Sequence, residues 1–155
     1  MRKAAVALVL CCLVVAACGD DGETDGAAAP SPVTSFPFAT ALLDNGDEST
    51  LVTVEVAETP EQHEAGLSRH TSLEEDWGMA FVFFEQRDAA LPMNETTIPL
   101  SIAYFDAEGT ILEIGDSEPR EIHEPAVAYM AALAVNQGSF DEWDISEGDT
   151  IHLTR

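Results

Sequence analysis

Val52, Val54 and Val56 alternate with Thr53 and Glu55, so residues 50–57 carry apolar side chains at every second position. A period of two belongs to a strand with one face in a core and the other in water. Residues 79–84 (MAFVFF) and 100–105 (LSIAYF) are apolar and rich in β-branched or aromatic side chains, and both predict strands. Asp106-Ala107-Glu108-Gly109 then turns the second of these back into 110–114 as an antiparallel hairpin. A further strand is predicted within 130–135, and Glu147-Gly148-Asp149 turns into a last one over 150–153. Thr59-Pro60-Glu61-Gln62 supplies an N-cap, a proline at the first helical position and a glutamine three residues after the cap, with Gly66 as a stop. A short helix belongs there. No repeat or heptad interrupts this order. The pattern predicts an α+β fold, predominantly antiparallel β: a small sheet or partly open barrel with one or two short helices, in a single domain over 36–155.

The first 35 residues follow different rules. Arg2 and Lys3 precede an unbroken apolar run, Ala4 to Ala17, that ends in small residues before Cys18. This is the layout of a secretory signal peptide over 1–17. The run is shorter than the about 20 residues a membrane-crossing helix needs, and Gly19-Asp20-Asp21 cannot follow it into lipid. Val15-Ala16-Ala17-Cys18 resembles the lipobox of bacterial lipoproteins, which implies a diacylglyceryl thioether on Cys18. Cys11 and Cys12 would leave with the signal, and the mature chain would have no thiol for a disulfide, a nucleophile or a zinc site. Residues 18–35 are small, polar and proline-containing, as expected of an acidic tether spanning roughly 20–25 Å. The expected partner is therefore a membrane, held through lipid on the outer side of the cell envelope.

Charge narrows the function. The 155 residues carry 29 acids against 6 bases, a formal net charge of -23, and two of those bases precede Cys18. Only Arg69, Arg87, Arg120 and Arg155 remain, with no lysine. Nucleic-acid binding needs clustered cations to neutralise phosphates, and four scattered arginines exclude it as a partner.

The motifs Gly66-Leu67, Arg69, Leu73, Gly78-Met79, Phe81 and Phe83, then Met93, Thr96, Ile98-Pro99-Leu100, Ile102, Asp106, Gly109, Ile111 and Gly148-Asp149 together resemble the DUF192 family. The resemblance runs from about Val52 to Leu153 and implies a compact α+β domain dominated by antiparallel strands, with no agreed activity. Where the family commonly shows Trp-Met-Lys-Asn-Thr, this chain has Pro92-Met93-Asn94-Glu95-Thr96, and Ser101 stands where an Asp is common. Apolar and turn positions match while the polar signature changes.

Candidate chemistry is sparse. Glu118, Glu121, His123 and Glu124, beside Asp116 and between Pro119 and Pro125, form the one dense set of potential metal ligands. His63, His70 and His152 read as surface histidines. Trp77 either stacks on a ligand ring or caps the core. Arg69 either pairs with Glu74, Glu75 or Asp76, or recognises an anion in a groove shared with Trp77, Met93, Asn94 and Thr96. No nucleophile elbow, P-loop or dinucleotide fingerprint is present, and no cofactor is expected. The chain reads as a non-enzymatic accessory or small-ligand-binding domain whose partner is a small molecule or an envelope protein. The alternative is a small hydrolase that works through acidic side chains.

Overall fold

The computed structural model describes residues 35–93 and 95–155. The signal segment, Cys18, the tether up to residue 34, and Asn94 lie outside the described residues.

Seven strands and two short helices follow one another: β1 (Phe38–Asp44), β2 (Ser49–Ala57), α1 (Pro60–Ala65), β3 (Trp77–Arg87), β4 (Leu100–Phe105), β5 (Ile111–Ser117), β6 (Tyr129–Asn136), α2 (Ser139–Glu142) and β7 (Thr150–Thr154). They form one sheet in the order β5-β4-β6-β3-β2-β1-β7, antiparallel throughout except where β2 and β3 run parallel. That parallel pair is why a helix stands between them, since a parallel return needs a crossover. The sheet curls into a half-barrel. Its two edge strands touch at one end, where Thr110 bridges Thr150 and the Ile151 N–H donates to the Gly109 carbonyl at 2.8 Å. The expected α+β, antiparallel-dominated, partly open barrel is the architecture found.

Local chemistry explains the elements. Thr59 caps α1 as a reciprocal box: its hydroxyl accepts from Gln62 N–H, and the Gln62 side chain accepts from Thr59 N–H at 3.1 Å. β1, which the valine pattern does not announce, alternates too, with Ala39, Ala41 and Leu43 inward. Its turn into β2 is held by Asn45, whose Oδ1 accepts from Asp47 N–H and Glu48 N–H.

Each face of the sheet has its own core. The concave face packs Ala41, Leu43, Val52, Val54, Ala80, Leu133 and Val135 against Phe140 and Ile145 from α2 and the segment after it. The convex face of β3, β4 and β6 is covered by segments outside the strands, which contribute Leu67, Leu91, Met93 and Ile98 over Met79, Phe81, Ile102 and Tyr104. Two tyrosines lash these coverings down. Tyr129 Oη donates to the Ala89 carbonyl at 2.6 Å, and the Tyr104 ring lies edge-on to it at 4.8 Å. Burial pushes the Tyr129 phenol up to about 12 and the Tyr104 phenol up as well. Both groups stay protonated in the fold after the unfolded phenols, near 10, have begun to ionise. Their contribution is fully present below pH 10 and is lost as pH rises from about 10 towards 12. Alkaline titration followed by circular dichroism should therefore show stability falling in that window, and a flat response through pH 12 would contradict the burial.

Ion pairs are few. Among the described residues they are His70–Glu55, His123–Glu113 and Arg155–Glu58, so most of the negative charge has no fixed counter-charge. Salt shortens the screening length from about 10 Å at 0.1 M to about 3 Å at 1 M and so relieves self-repulsion. The melting temperature is expected to rise by several degrees over that range. No change would mean that the acids are already too well separated and hydrated to repel.

Candidate functional site

The residues singled out in the sequence fall into three environments. Met93 and Thr96 are core residues, 2% and 4% exposed, and the Thr96 hydroxyl donates to the Met93 sulfur at 3.5 Å. They pin the segment between β3 and β4 onto the sheet, with the Met93 side chain packed in the convex core. Arg69 is exposed and belongs to none of the ion pairs among the described residues, so the expected pairing with Glu74, Glu75 or Asp76 is not formed. Trp77 is half-buried at the start of β3, with Phe38 edge-on to it at 5.7 Å. It shields the flank of the sheet beside an exposed patch, since Phe38 and Leu51 are 57% and 63% accessible.

The acidic loop after β5 does not gather its ligands. Glu118, Glu121 and Glu124 are exposed, while the His123 ring turns inward to place Nε2 2.8 Å from Glu113 Oε1. The other Glu113 oxygen accepts from Ala126 N–H at 2.8 Å. His123 lies flat on Gly115, where any Cβ would collide with the ring, and stacks on Tyr104 at 5.7 Å. This clasp closes the loop onto β5 and β4. Among the described residues no group of three or more His, Cys, Asp or Glu is placed to hold a metal ion. His63 and His70 are also more engaged than surface residues. His63 Nε2 lies 3.0 Å from the Ala57 carbonyl and 3.1 Å from that of Val82, and His70 reaches Glu55 at 3.2 Å.

None of five hollows on the surface is lined by Arg69, Trp77, Met93 or Thr96. One combines strand walls with an apolar lining. It is a hollow of about 410 Å³ at the end of the half-barrel where the edge strands touch, and Val82 of β3, Phe105 of β4, Met130 and Ala131 of β6, and Ile151 and Leu153 of β7 converge there. Phe105, Ala131 and Ile151 are also concave-core residues, so the hollow continues the core to the surface. Its rim is polar: Asp106, Glu108 and His152. Asp106 Oδ1 accepts from Glu108 N–H at 3.0 Å and from Thr110 N–H at 2.8 Å, which fixes the β4–β5 turn and leaves its tip against β7. Walls made by regular strands are held more rigidly than loops, and this volume falls in the range of small-ligand pockets.

A second hollow, about 560 Å³, lies between α1 and the segment after β3 and is lined by Pro60, His63, Glu64, Arg87, Leu91, Pro92 and Ile122. There the Arg87 guanidinium sits over the Phe83 ring at 4.4 Å, so the cation already occupies the aromatic face. A third is lined by Ser101, Asp116, Asp141 and Glu147. Its Ser101 is 2% exposed and donates to Asp116 at 2.6 Å while accepting from Gly138 N–H at 2.9 Å, which ties β4 to β5 and to the start of α2. Sequence reasoning missed the barrel mouth because its lining comes from four strands far apart in the chain. The one local signal was the Asp106–Gly109 turn.

Two solved structures share the fold. A protein of Sinorhizobium meliloti 1021, described as a candidate transcription regulator, is 27% identical with a TM-score of 0.73, the match covering 77% of this chain and 96% of that one. A protein of unknown function from Novosphingobium aromaticivorans DSM 12444 is 25% identical with a TM-score of 0.71, covering 81% and 94%. No curated protein matches. The model of the DUF192 family, described as Uncharacterized ACR, matches residues 41–153, from the second half of β1 through β7, and the chain belongs to that family.

Proposed function

We propose that the chain is a lipid-anchored binding domain on the outer side of the cell envelope that takes a small apolar ligand at the mouth of its half-barrel and performs no chemistry on it. The observation that carries the binding half is the hollow walled by strands and lined by Val82, Phe105, Ala131, Ile151 and Leu153. The anchoring half rests on the signal segment and Cys18. The hydrolase alternative draws no support from the family or from the related structures. The description of the Sinorhizobium protein as a regulator of transcription does not extend to a nucleic-acid partner here, because 29 acids against 6 bases repel a phosphate backbone.

The test uses N-phenyl-1-naphthylamine, a neutral dye that fluoresces when taken out of water. Wild-type protein should enhance its emission saturably. Ala131→Phe and Leu153→Trp, which fill the mouth from opposite walls, should reduce that enhancement, whereas Phe84→Ser, at a side chain 90% exposed, should not. Leu153 is only partly buried whereas Ala131 is buried, so the Leu153 variant is expected to fold even where the Ala131 variant does not. Unchanged dye binding in a folded Leu153→Trp protein would remove the site.

A further inference from the structure

We infer that the ligand of the barrel mouth is a cationic amphiphile, an apolar chain or ring carrying an amine, seated with its apolar body on Val82, Ala131 and Leu153 and its charge toward Glu108. This rests on the mouth being the binding site, and adds the chemistry of the ligand.

The lining separates by type. The buried part of the lining, Phe105, Ala131 and Ile151, is apolar, whereas Glu108 and His152 are exposed and Asp106 is half-buried. Those rim groups include two carboxylates, Asp106 and Glu108, and one imidazole, His152, but no lysine or arginine. Asp106 already accepts two backbone N–H groups, so it serves the turn. Glu108 is exposed, and among the described residues no hydrogen bond engages its carboxylate. A carboxylate at the lip of an apolar hollow favours a bound cation and opposes a bound anion, and because Glu108 is exposed that preference is screened by salt. The whole chain pushes the same way. Its formal charge of -23 draws cations towards the surface and repels fatty-acid-like anions. None of the arginines that could reverse this lines the hollow.

Three ligands with the same ten-carbon chain separate the contributions: decylamine, decanol and decanoate, each used to displace N-phenyl-1-naphthylamine. Decylamine should displace it at concentrations about tenfold below decanoate in low salt, with decanol between them and the spread narrowing in molar salt. Glu108→Gln should weaken decylamine several-fold while leaving decanol unchanged. Glu142→Gln, at an exposed acid on α2 outside the hollow, should change neither. Equal displacement by amine and carboxylate, with the dye still lost in Leu153→Trp, would overturn the cationic ligand and leave an apolar site standing. An equal loss of amine binding in Glu142→Gln and Glu108→Gln would also overturn it, because attraction would then come from net charge and not from the rim. Failure of the dye to bind the mouth would instead overturn the underlying site.

Discussion

Replacing Cys18 by serine is expected to release the protein from the detergent phase in a two-phase partition of cell extract. A thioether-linked diacylglycerol would supply two acyl chains, and at about 0.8 kcal/mol for each buried methylene two chains hold a domain stably at the membrane where one would be marginal. Only sulfur can take the diacylglyceryl group, so serine at that position blocks the modification at its first atom. The residual apolar run, Ala4 to Ala17, could hold an unprocessed precursor to the membrane on its own, and partition alone does not separate the two. Mass spectrometry of the mature protein does. The expected product begins at Cys18 and carries the lipid mass, and a mature chain that still begins at Met1 would contradict the lipoprotein reading.

The second large effect is expected at Gly109, the point where the half-barrel closes. Its φ is +93°, a conformation that costs a residue with a side chain about 1–3 kcal/mol. A Cβ there would also be driven into the Ile151 carbonyl oxygen, on the same residue whose N–H donates to the Gly109 carbonyl and so joins the β4–β5 turn to β7. Strain and collision act together, so Gly109→Ala should lose about 3 kcal/mol or more and lower the melting temperature by roughly 10 °C. Gly46 offers the control, since its φ is +88° but nothing lies within 4 Å of a built Cβ. Gly46→Ala should show the conformational cost alone. Equal losses at the two positions would mean that the closure contact is not as tight as the structure makes it.

How much of this was legible in the sequence depended on whether the signal was local. Alternation at Val52, Val54 and Val56 marks β2, and the reciprocal cap at Thr59 and Gln62 marks α1, because strand periodicity and capping are properties of a few consecutive residues. β1 carries a weaker signal, because Ala39 and Ala41 are small and Leu42 sits on the other parity, which blurs a period of two. The groove drawn through Arg69, Trp77, Met93, Asn94 and Thr96 treated family-matching positions as a surface. Met93 and Thr96 are buried and fasten a covering segment to the convex core, a packing role that residue type and spacing alone do not distinguish from a surface one. His123 shows the same limit from the other side. Its neighbours in sequence are glutamates, but its partner is Glu113, ten residues back on β5, reached because the loop after β5 folds onto that strand. The barrel mouth could not be read at all, since Val82, Phe105, Ala131 and Leu153 meet only after the sheet has curled.

Amide chemical shifts followed during titration with decylamine test the central claim most directly. If the mouth binds the ligand, the perturbed amides should cluster at Val82, Phe105, Gly109, Ala131 and His152, around the end of the half-barrel where the edge strands touch. Perturbations centred on Phe38, Leu51 and Trp77, or spread evenly over the acidic surface, would contradict it.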